Sequence, residues 1–162
     1  MRLSVLAVGR LKNGPERDLV ERYRRRLEGM SRSLGFTGPD FAELPESRAR
    51  REDDRRAEEA AALLDRAGAG GLVVFDERGK SPTSEAFAAR LGGWRDEGRL
   101  ALHCIIGGPD GLDPAVRARA DLVVSFGALT MPHQIVRALV VEQLYRALTI
   151  LAGHPYHRAG HD

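Results

Sequence analysis

Three loops carry the residues whose types and spacing could form a ligand site. The first is the stretch CIIGGPDGL at 104–112, where an apolar run leads directly into Gly107, Gly108, Pro109 and Asp110. A turn rarely needs several glycines and a proline together, whereas glycine is required wherever backbone approaches a ligand closely. This stretch therefore predicts either an elaborate turn or the floor of a site.

Two further loops also follow apolar runs, FDERGKS at 75–81 and SFGALTMPH at 125–133. The second of them is itself apolar, and its small residues Gly127 and Ala128 leave backbone N–H and C=O groups uncovered between apolar walls. Such a lining suits a flat apolar ring that needs a few hydrogen bonds at its edge, such as adenine. Packing beneath the last helix explains the same pattern equally well.

Two motifs do not support the nucleotide chemistry that they suggest. RGKS at 78–81 resembles the end of a phosphate-binding P-loop, but Val74 stands where that loop needs glycine. GAGG at 68–71 precedes an apolar run, whereas a dinucleotide-binding loop follows a strand and opens a helix. We therefore do not expect a nucleotide hydrolase.

Metal and thiol chemistry have little support either. His154, His157 and His161 lie close together, but in a terminal tail that contains Pro155 and is poorly preorganised for a metal. The single cysteine, Cys104, stands in an apolar run, which favours a buried core residue over a nucleophile. We predict no metal site and no disulfide.

The elements that must position these loops alternate along the chain. Apolar runs predict strands, and helical spacing or caps predict helices between them. The predicted strands are 3–9, 40–46, 72–76, 100–106 and 122–126, and the predicted helices are 15–30, 47–66 with Ser47 as its cap, 84–97, 114–119 and 133–152. This order predicts one α/β domain over residues 1–162 with a mostly parallel sheet, whose carboxyl ends would bring the three loops together.

The last helix is apolar around most of its circumference. Its apolar residues include Ile135, Val136, Leu139, Val140 and Leu144. A helix of this kind is buried on more than one side. In so small a domain, part of that surface is expected to face a second copy of the chain, which predicts a homodimer.

Composition and charge exclude several classes of protein. The 162 residues are 43% hydrophobic and 30% charged, with a formal net charge of +2, as in an ordinary soluble protein. The longest apolar stretch, 135–152, contains Arg137, Glu142 and Arg146, so it does not predict a membrane span. The N-terminus has no signal peptide pattern, and we expect a cytoplasmic protein with no membrane contact.

Two arginine clusters make the charge uneven. Acidic residues neutralise the cluster at 48–56, which predicts a solvated, salt-bridged helix face. The cluster at 17–26 is less neutralised, and within it Arg22, Arg25 and Arg26 could contact phosphates.

Four segments of the chain resemble the bacterial ribosomal large subunit methyltransferase H family, a group within the SPOUT superfamily. They are LSVLAVGRLK, VVFDERGKS, IIGGPDGL and SFGALTMPHQIVRALVVEQLYRALTILAGHPYHR. The resemblance implies a SPOUT-type α/β parallel sheet flanked by helices, with a C-terminal trefoil knot. It also implies a homodimer that uses S-adenosyl-L-methionine to methylate N3 of a pseudouridine in 23S rRNA, with the assembled ribosome as substrate.

The resemblance also assigns residues to the cofactor site. They fall in the three loops described above and are Phe75, Gly107, Phe126, Gly127, Ala128, Leu129, Thr130 and Met131. Phe75 departs from the leucine that the family pattern favours before DERGK, which would alter only one wall of the pocket.

The tail HPYHR supplies candidates for the chemistry. The N3 position must lose its proton, and His157 could accept it, while Tyr156 could stack on the base or hydrogen-bond to it. Arg158 could hold a phosphate or stabilise the developing imidate. The alternative is that the tail only orders the cofactor and the RNA, with water taking the proton, and either role could act within one subunit or across a dimer.

Three other residues are assigned mainly to structure. We expect His133 to cap the last helix, Arg137 to be structural or to face the cofactor, and His103 to be structural. The extension AGHD, which contains His161 and Asp162, goes beyond the family pattern and has no assigned role.

Two rival functions remain open. The chain could be a methyltransferase of the same fold that acts on another RNA nucleoside, such as a tRNA base. It could also be a ribosome-associated binding protein without turnover.

Overall fold

A computed structural model describes residues 1–158, which alternate between strands and helices as predicted. The strands are β1 (Arg2–Val8), β2 (Thr37–Leu44), β3 (Gly71–Lys80), β4 (Ala101–Ile106) and β5 (Leu122–Val124). The helices are α1 (Pro15–Ser31), α2 (Glu52–Ala67), α3 (Ser84–Asp96), α4 (Pro114–Arg119) and α5 (His133–Leu151), and a 3₁₀ turn follows α1 at Arg32–Leu34.

The five strands form one parallel sheet in the order β2-β1-β4-β3-β5. The central strands are almost continuously apolar because helices cover the sheet on both faces. The prediction of a parallel α/β fold is therefore confirmed. Parallel pairing also places the carboxyl ends of β3, β4 and β5 at one edge of the sheet.

Each face of the sheet has its own core. On one face α1, α3 and α5 contribute Leu27, Leu91 and Leu144, which are fully buried. On the other face α2 and α4 contribute Leu63 and Val116. Helix α5 lies between α1 and α3. Its own neighbours therefore account for most of its apolar surface, and the predicted burial on more than one side is confirmed without a second copy of the chain.

Strand β3 is longer than the predicted 72–76. It pairs with β4 and β5 as far as Phe75, and then its register shifts so that Lys80 also pairs with Val124. Gly79 makes this return possible, because a Cβ atom there would lie 2.7 Å from the backbone carbonyl of Val123. The segment between Phe75 and Lys80 consequently arches away from the sheet.

The prediction that Ser47 caps α2 is wrong. Helix α2 begins at Glu52 with Arg51 as its N-cap residue. Three acidic residues in its first turn complement the helix dipole, which favours that start. The backbone N–H of Ser47 instead donates to Glu59 Oε1 at 2.9 Å.

Cys104 and His103 have the structural roles that the sequence predicts. Cys104 is fully buried, and burial raises the pKa of its thiol to about 12, so the thiol stays protonated. His103 Nδ1 lies 2.5 Å from Ser4 Oγ on the neighbouring strand. Within residues 1–158, none of the helices combines the length and apolarity that a membrane span requires.

Candidate cofactor site and C-terminal tail

A cavity of about 430 Å³ opens at the carboxyl ends of β3, β4 and β5. All three loops predicted from the sequence contribute to it. Of the predicted cofactor residues, those in its lining are Phe75, Gly107, Phe126, Gly127, Leu129, Thr130 and Met131. Ala128 is exposed and is not part of the lining. The structure brings these loops together, and their role in binding stays a prediction.

Aromatic side chains build the inner wall of the cavity. The rings of Phe75 and Phe126 stack with their centroids 5.4 Å apart and their planes 15° apart. Phe75 is only 6% exposed because β3 is buried on both faces at this point. Burial therefore holds the Phe75 side of this wall in place.

The floor of the cavity is backbone. A Cβ atom on Gly107 would lie 2.8 Å from Leu112 Cγ and 3.2 Å from the carbonyl carbon of Gly111. The loop after β4 closes through a hydrogen bond of 3.0 Å from Gly111 N–H to Gly108 C=O. Glycine at 107 thus lets the loop fold back on itself, which answers why glycines crowd the end of this strand.

Two ion pairs secure the cavity loops. Arg55 donates to both carboxylate oxygens of Asp110, at 2.6 and 3.1 Å, and thereby connects α2 to the loop after β4. Hydrogen bonding to Arg55 lowers the pKa of Asp110. Arg117 of α4 lies 3.1 Å from Asp76 in the arched part of β3. The sequence interpretation missed Arg55, because its partner lies 55 residues away in an apparently solvated charge cluster.

A buried carboxylate lies beneath the same loop. Glu59 is 6% exposed, and its Oε2 atom has no hydrogen-bond partner among the described residues. This oxygen would lie 3.6 Å from a Cβ atom on Gly108. Burial raises the pKa of Glu59. The sequence interpretation placed this residue on a solvated helix face and missed its burial.

His133 and Arg137 stand at the start of α5. The expectation that His133 caps this helix is wrong, because Pro132 is the N-cap residue and no side chain caps the first turn. His133 instead contributes to the cavity lining. Arg137 is structural: it is 5% exposed and donates to the carbonyl oxygens of Val8 and Gly9 at 3.0 and 2.7 Å.

The tail residues lie against the helices rather than in this cavity. The Tyr156 hydroxyl donates to Glu142 Oε1 at 3.0 Å, and its oxygen lies 3.3 Å from the Tyr23 hydroxyl. Burial, together with these two neighbours, raises the pKa of Tyr156, so the phenol stays protonated and can act only as a donor near neutral pH. The Arg146 guanidinium lies 4.9 Å from the centre of the Tyr156 ring.

His157 pairs with α3. Its Nε2 atom lies 2.7 Å from Glu85 Oε1, and its Nδ1 atom lies 3.2 Å from Arg146. Hydrogen bonding to His157 lowers the pKa of Glu85. Arg158 is exposed. None of the three predicted catalytic residues lines the cavity of about 430 Å³ in its own chain.

The remaining predicted residues have separate surroundings. Among residues 1–158 no group of three or more His, Cys, Asp or Glu side chains could hold a metal ion. His161 and Asp162 lie outside the described residues. On α1, Arg25 pairs with Glu21 at 3.0 Å, Arg22 is exposed, and Arg26 lies 5.5 Å from the centre of the Tyr23 ring. Their contact with phosphate stays a prediction.

Comparison with known proteins identifies the family. A family model described as a predicted SPOUT methyltransferase matches residues 1–157. A ribosomal RNA large subunit methyltransferase H of Methylobacterium radiotolerans is 61% identical over 160 residues, which cover 98% of this chain and 98% of that protein. The protein of the same name from Rhodopseudomonas palustris is 59% identical over 160 residues, covering 98% of this chain and 100% of that protein.

Solved structures agree on the architecture. The chain is similar to a probable methyltransferase from Bordetella pertussis Tohama I, with a TM-score of 0.53 and 14% identity, over 90% of this chain and 95% of that one. At this identity the likeness concerns the fold alone. The family model and the full-length relatives confirm the family resemblance that the sequence carries. The chain belongs to the SPOUT methyltransferase family, within the group of ribosomal RNA large subunit methyltransferase H proteins.

Proposed function

We propose that this chain is an S-adenosyl-L-methionine-dependent methyltransferase that modifies N3 of a pseudouridine in 23S rRNA of the assembled ribosome. The observation that carries the proposal is the cavity formed by three strand-end loops in a chain of this family. The names of its relatives supply the class of RNA. The enzyme would act in the cytoplasm as one domain over residues 1–162, with its C-terminal segment in a trefoil knot.

The cavity suits this cofactor in size and chemistry. Its volume of about 430 Å³ lies in the range of sites for molecules of this size. Phe126, Leu129 and Met131 offer an apolar slot for the adenine, and the backbone around Gly107 offers edge hydrogen bonds. The carboxylates of Asp76 and Glu77 in the lining suit a cationic sulfonium and an ammonium group.

The reaction is a displacement at carbon. When bound in the cavity, the cofactor would supply the methyl group of its sulfonium to N3 in exchange for the N3 proton. The N3 proton must leave with its electron pair remaining on the nitrogen. His157 is proposed to accept that proton at Nδ1, in place of the contact of this atom with Arg146, with Glu85 holding the ring in place through Nε2. Because the Tyr156 hydroxyl donates to Glu142, Tyr156 is proposed to stack on the base, and the exposed Arg158 is proposed to bind phosphate or the developing imidate.

A homodimer is proposed as the working unit. Four large apolar side chains are exposed among the described residues: Leu19 on α1, Leu100 before β4, Leu129 in the loop after β5 and Ile135 on α5. Burying such side chains against a second copy is favourable. Sedimentation velocity measures the state: a single species of twice the chain mass supports the dimer, and a monomer at working concentration rejects it.

The experiment that tests the function is labelled methylation of defined substrates. The protein is incubated with isotopically labelled cofactor and, separately, whole ribosomes, free 23S rRNA and tRNA, and RNA fragments are analysed by mass spectrometry. We expect one labelled methyl group on a pseudouridine of 23S rRNA when whole ribosomes are the substrate, and no label in free 23S rRNA or tRNA. Label in tRNA alone would favour the rival enzyme, and a failure to bind the cofactor by calorimetry would favour a non-catalytic protein.

A further inference from the structure

Two carboxylates in the cavity lining are paired with arginines, and the buried carboxylate beneath the floor is not. Asp76 lies 3.1 Å from Arg117. Asp110 accepts hydrogen bonds from Arg55 on both of its oxygens. Glu59 forms no ion pair with the described residues, and its buried Oε2 atom has no hydrogen-bond partner among them. A carboxylate without a counter-charge therefore lies under the floor of the cavity.

The backbone of Gly108 separates this carboxylate from the cavity. Gly108 belongs to the lining, and a Cβ atom there would lie 2.9 Å from Val8 Cγ1 and 3.6 Å from Glu59 Oε2. Val8 is fully buried, so both neighbours lie on the core side of the floor. Because position 108 has no side chain, the thickness of the backbone is what separates the buried oxygen from a ligand above it.

The groups around Glu59 do not neutralise its charge. Its Oε1 atom accepts the backbone N–H of Ser47, a neutral donor, at 2.9 Å. Burial, with the carboxylates of Asp110 and Glu46, raises the pKa of Glu59, against the opposing effects of the Ser47 N–H and of Arg55. Arg55 stands one turn earlier on α2, but its guanidinium is engaged with Asp110. A cation that entered the cavity would favour the ionised form of Glu59.

The methyl donor and its product differ in charge. S-adenosyl-L-methionine has a sulfonium in addition to its ammonium and carboxylate groups, so it is a net cation. S-adenosylhomocysteine lacks the methyl group and the sulfonium charge, and it is neutral overall. Apolar and backbone contacts with the adenine and the ribose cannot distinguish the two, because both molecules contain these groups. A nearby buried charge can, since electrostatic attraction across protein is less attenuated than in water.

From this arrangement we infer that Glu59 is the counter-charge for the cationic methyl donor and makes the cavity prefer the donor to the product. The inference rests on the proposed function and adds a residue that recognises charge through the floor without touching the ligand. The free protein favours the protonated carboxyl group, and donor binding favours release of this proton to the solvent. The neutral product leaves the proton in place, so it is held less tightly than the donor.

The test removes the charge and keeps the shape of the side chain. Glu59→Gln retains an oxygen that can accept the Ser47 N–H, and loss of an uncompensated buried charge should not unfold the protein. Calorimetry measures the Kd of S-adenosyl-L-methionine and of S-adenosylhomocysteine at neutral pH. We expect the donor Kd to rise about tenfold, the effect of a charge roughly 10 Å away at an effective dielectric constant of about 20. The product Kd should stay within about twofold.

The matched control is Glu58→Gln, the same change one position earlier on α2. Glu58 is exposed and lies outside the cavity lining, so solvent screens its charge. Both Kd values should stay within about twofold of those of the unsubstituted protein. Equal losses for donor and product in Glu59→Gln, unchanged affinities in that variant, or a donor loss of the same size in Glu58→Gln would overturn the inference.

A measurement on the unsubstituted protein keeps the inference testable if Glu59→Gln folds poorly. Calorimetric titrations in two buffers of different ionisation enthalpy count the protons released on binding. We expect more proton release with S-adenosyl-L-methionine than with S-adenosylhomocysteine, and a donor affinity that falls more steeply than product affinity as the pH is lowered from neutral. Equal proton release and equal pH dependence for the two ligands would overturn the inference.

The same titrations separate this inference from the proposed function. If the unsubstituted protein binds neither ligand, the proposed function fails. If it binds both ligands with a preference that does not depend on Glu59, the inference alone fails, and methylation of 23S rRNA remains the test of the function.

Discussion

The cofactor cavity and the tail are built in opposite ways. Buried strand ends and backbone form the cavity: Phe75 is 6% exposed, and the loop after β4 closes on itself through Gly108 and Gly111. Side chains alone hold Tyr156 and His157, through Glu142, Glu85 and Arg146. From this difference we expect cofactor binding to depend on the folded sheet and to survive removal of the tail.

Deleting residues 154–162 separates the two regions most strongly. The deletion removes all three proposed catalytic residues, so we expect methylation to fall at least about a hundredfold, the usual contribution of acid–base groups. Cofactor affinity and the circular dichroism spectrum should be unchanged, because residues 154–158, the described part of the deleted segment, line no part of the cavity of about 430 Å³. Turnover at the original rate would remove the tail from catalysis.

Adding a methyl group to the cavity floor has the next largest effect. In Gly107→Ala the new Cβ would lie 2.8 Å from Leu112 Cγ, so the loop must shift. We expect cofactor affinity to fall about tenfold, in line with the cost of overpacking.

Gly70→Ala is the matched control for Gly107→Ala at the opposite end of the sheet. Its Cβ would lie 2.4 Å from His103 Nε2, far from the cavity lining. We expect it to lower the free energy of unfolding by about 1–3 kcal/mol with little effect on cofactor affinity in the folded protein. If both variants weaken binding equally, the cavity floor has no special role.

Loosening the connection between α2 and the loop after β4 has a smaller effect. Arg55→Gln removes a bidentate ion pair to Asp110, and we expect cofactor affinity to fall about threefold because the loop is less well positioned. Arg24→Gln, which breaks an ion pair to Glu28 within α1, is the control and should have no effect on binding. Fluorescence or calorimetric titration measures both, and equal affinities would show that Arg55 does not position the loop.

The pKa shifts of Glu59 and Glu85 predict that the stability of the cavity loop and the stability of the tail contact change with pH in opposite directions. Burial raises the pKa of Glu59 beneath the cavity loop, with Asp110 and Glu46 adding to the shift and Arg55 opposing it. The folded state therefore binds this proton more tightly, and the associated stability is lost as pH rises above the usual value of 4.5. Glu59→Gln should flatten that part of the stability profile in denaturant titrations.

The tail responds in the other direction. Hydrogen bonding to His157 lowers the pKa of Glu85. The stabilisation that ionised Glu85 gives to the folded state is therefore present above the usual pKa of 4.5 and is lost as pH falls through the lowered pKa. NMR signals of His157 should shift toward those of a free tail at low pH while signals of the cavity loops persist. Simultaneous loss of both sets would mean that the regions are not independent.

The sequence predicts the elements of this molecule better than its long-range contacts. Strand β4 and its glycine loop follow from an apolar run that ends in glycines, and packing then brings the three loops together. Ser47 is a good capping residue by type, so the sequence predicts the start of α2 too early. In the structure the Ser47 N–H donates to Glu59, and the helix begins at Glu52. Arg55–Asp110 and His157–Glu85 join residues 55 and 72 positions apart, and no local pattern predicts such pairs.

The proposed function depends most on where the methyl donor binds. A crystal structure of the protein with S-adenosyl-L-methionine measures this directly. We predict the cofactor in the cavity of about 430 Å³, in contact with Gly107 and the segment from Phe126 to Met131. A cofactor bound elsewhere, or the cavity filled by the protein's own side chains, would contradict the account.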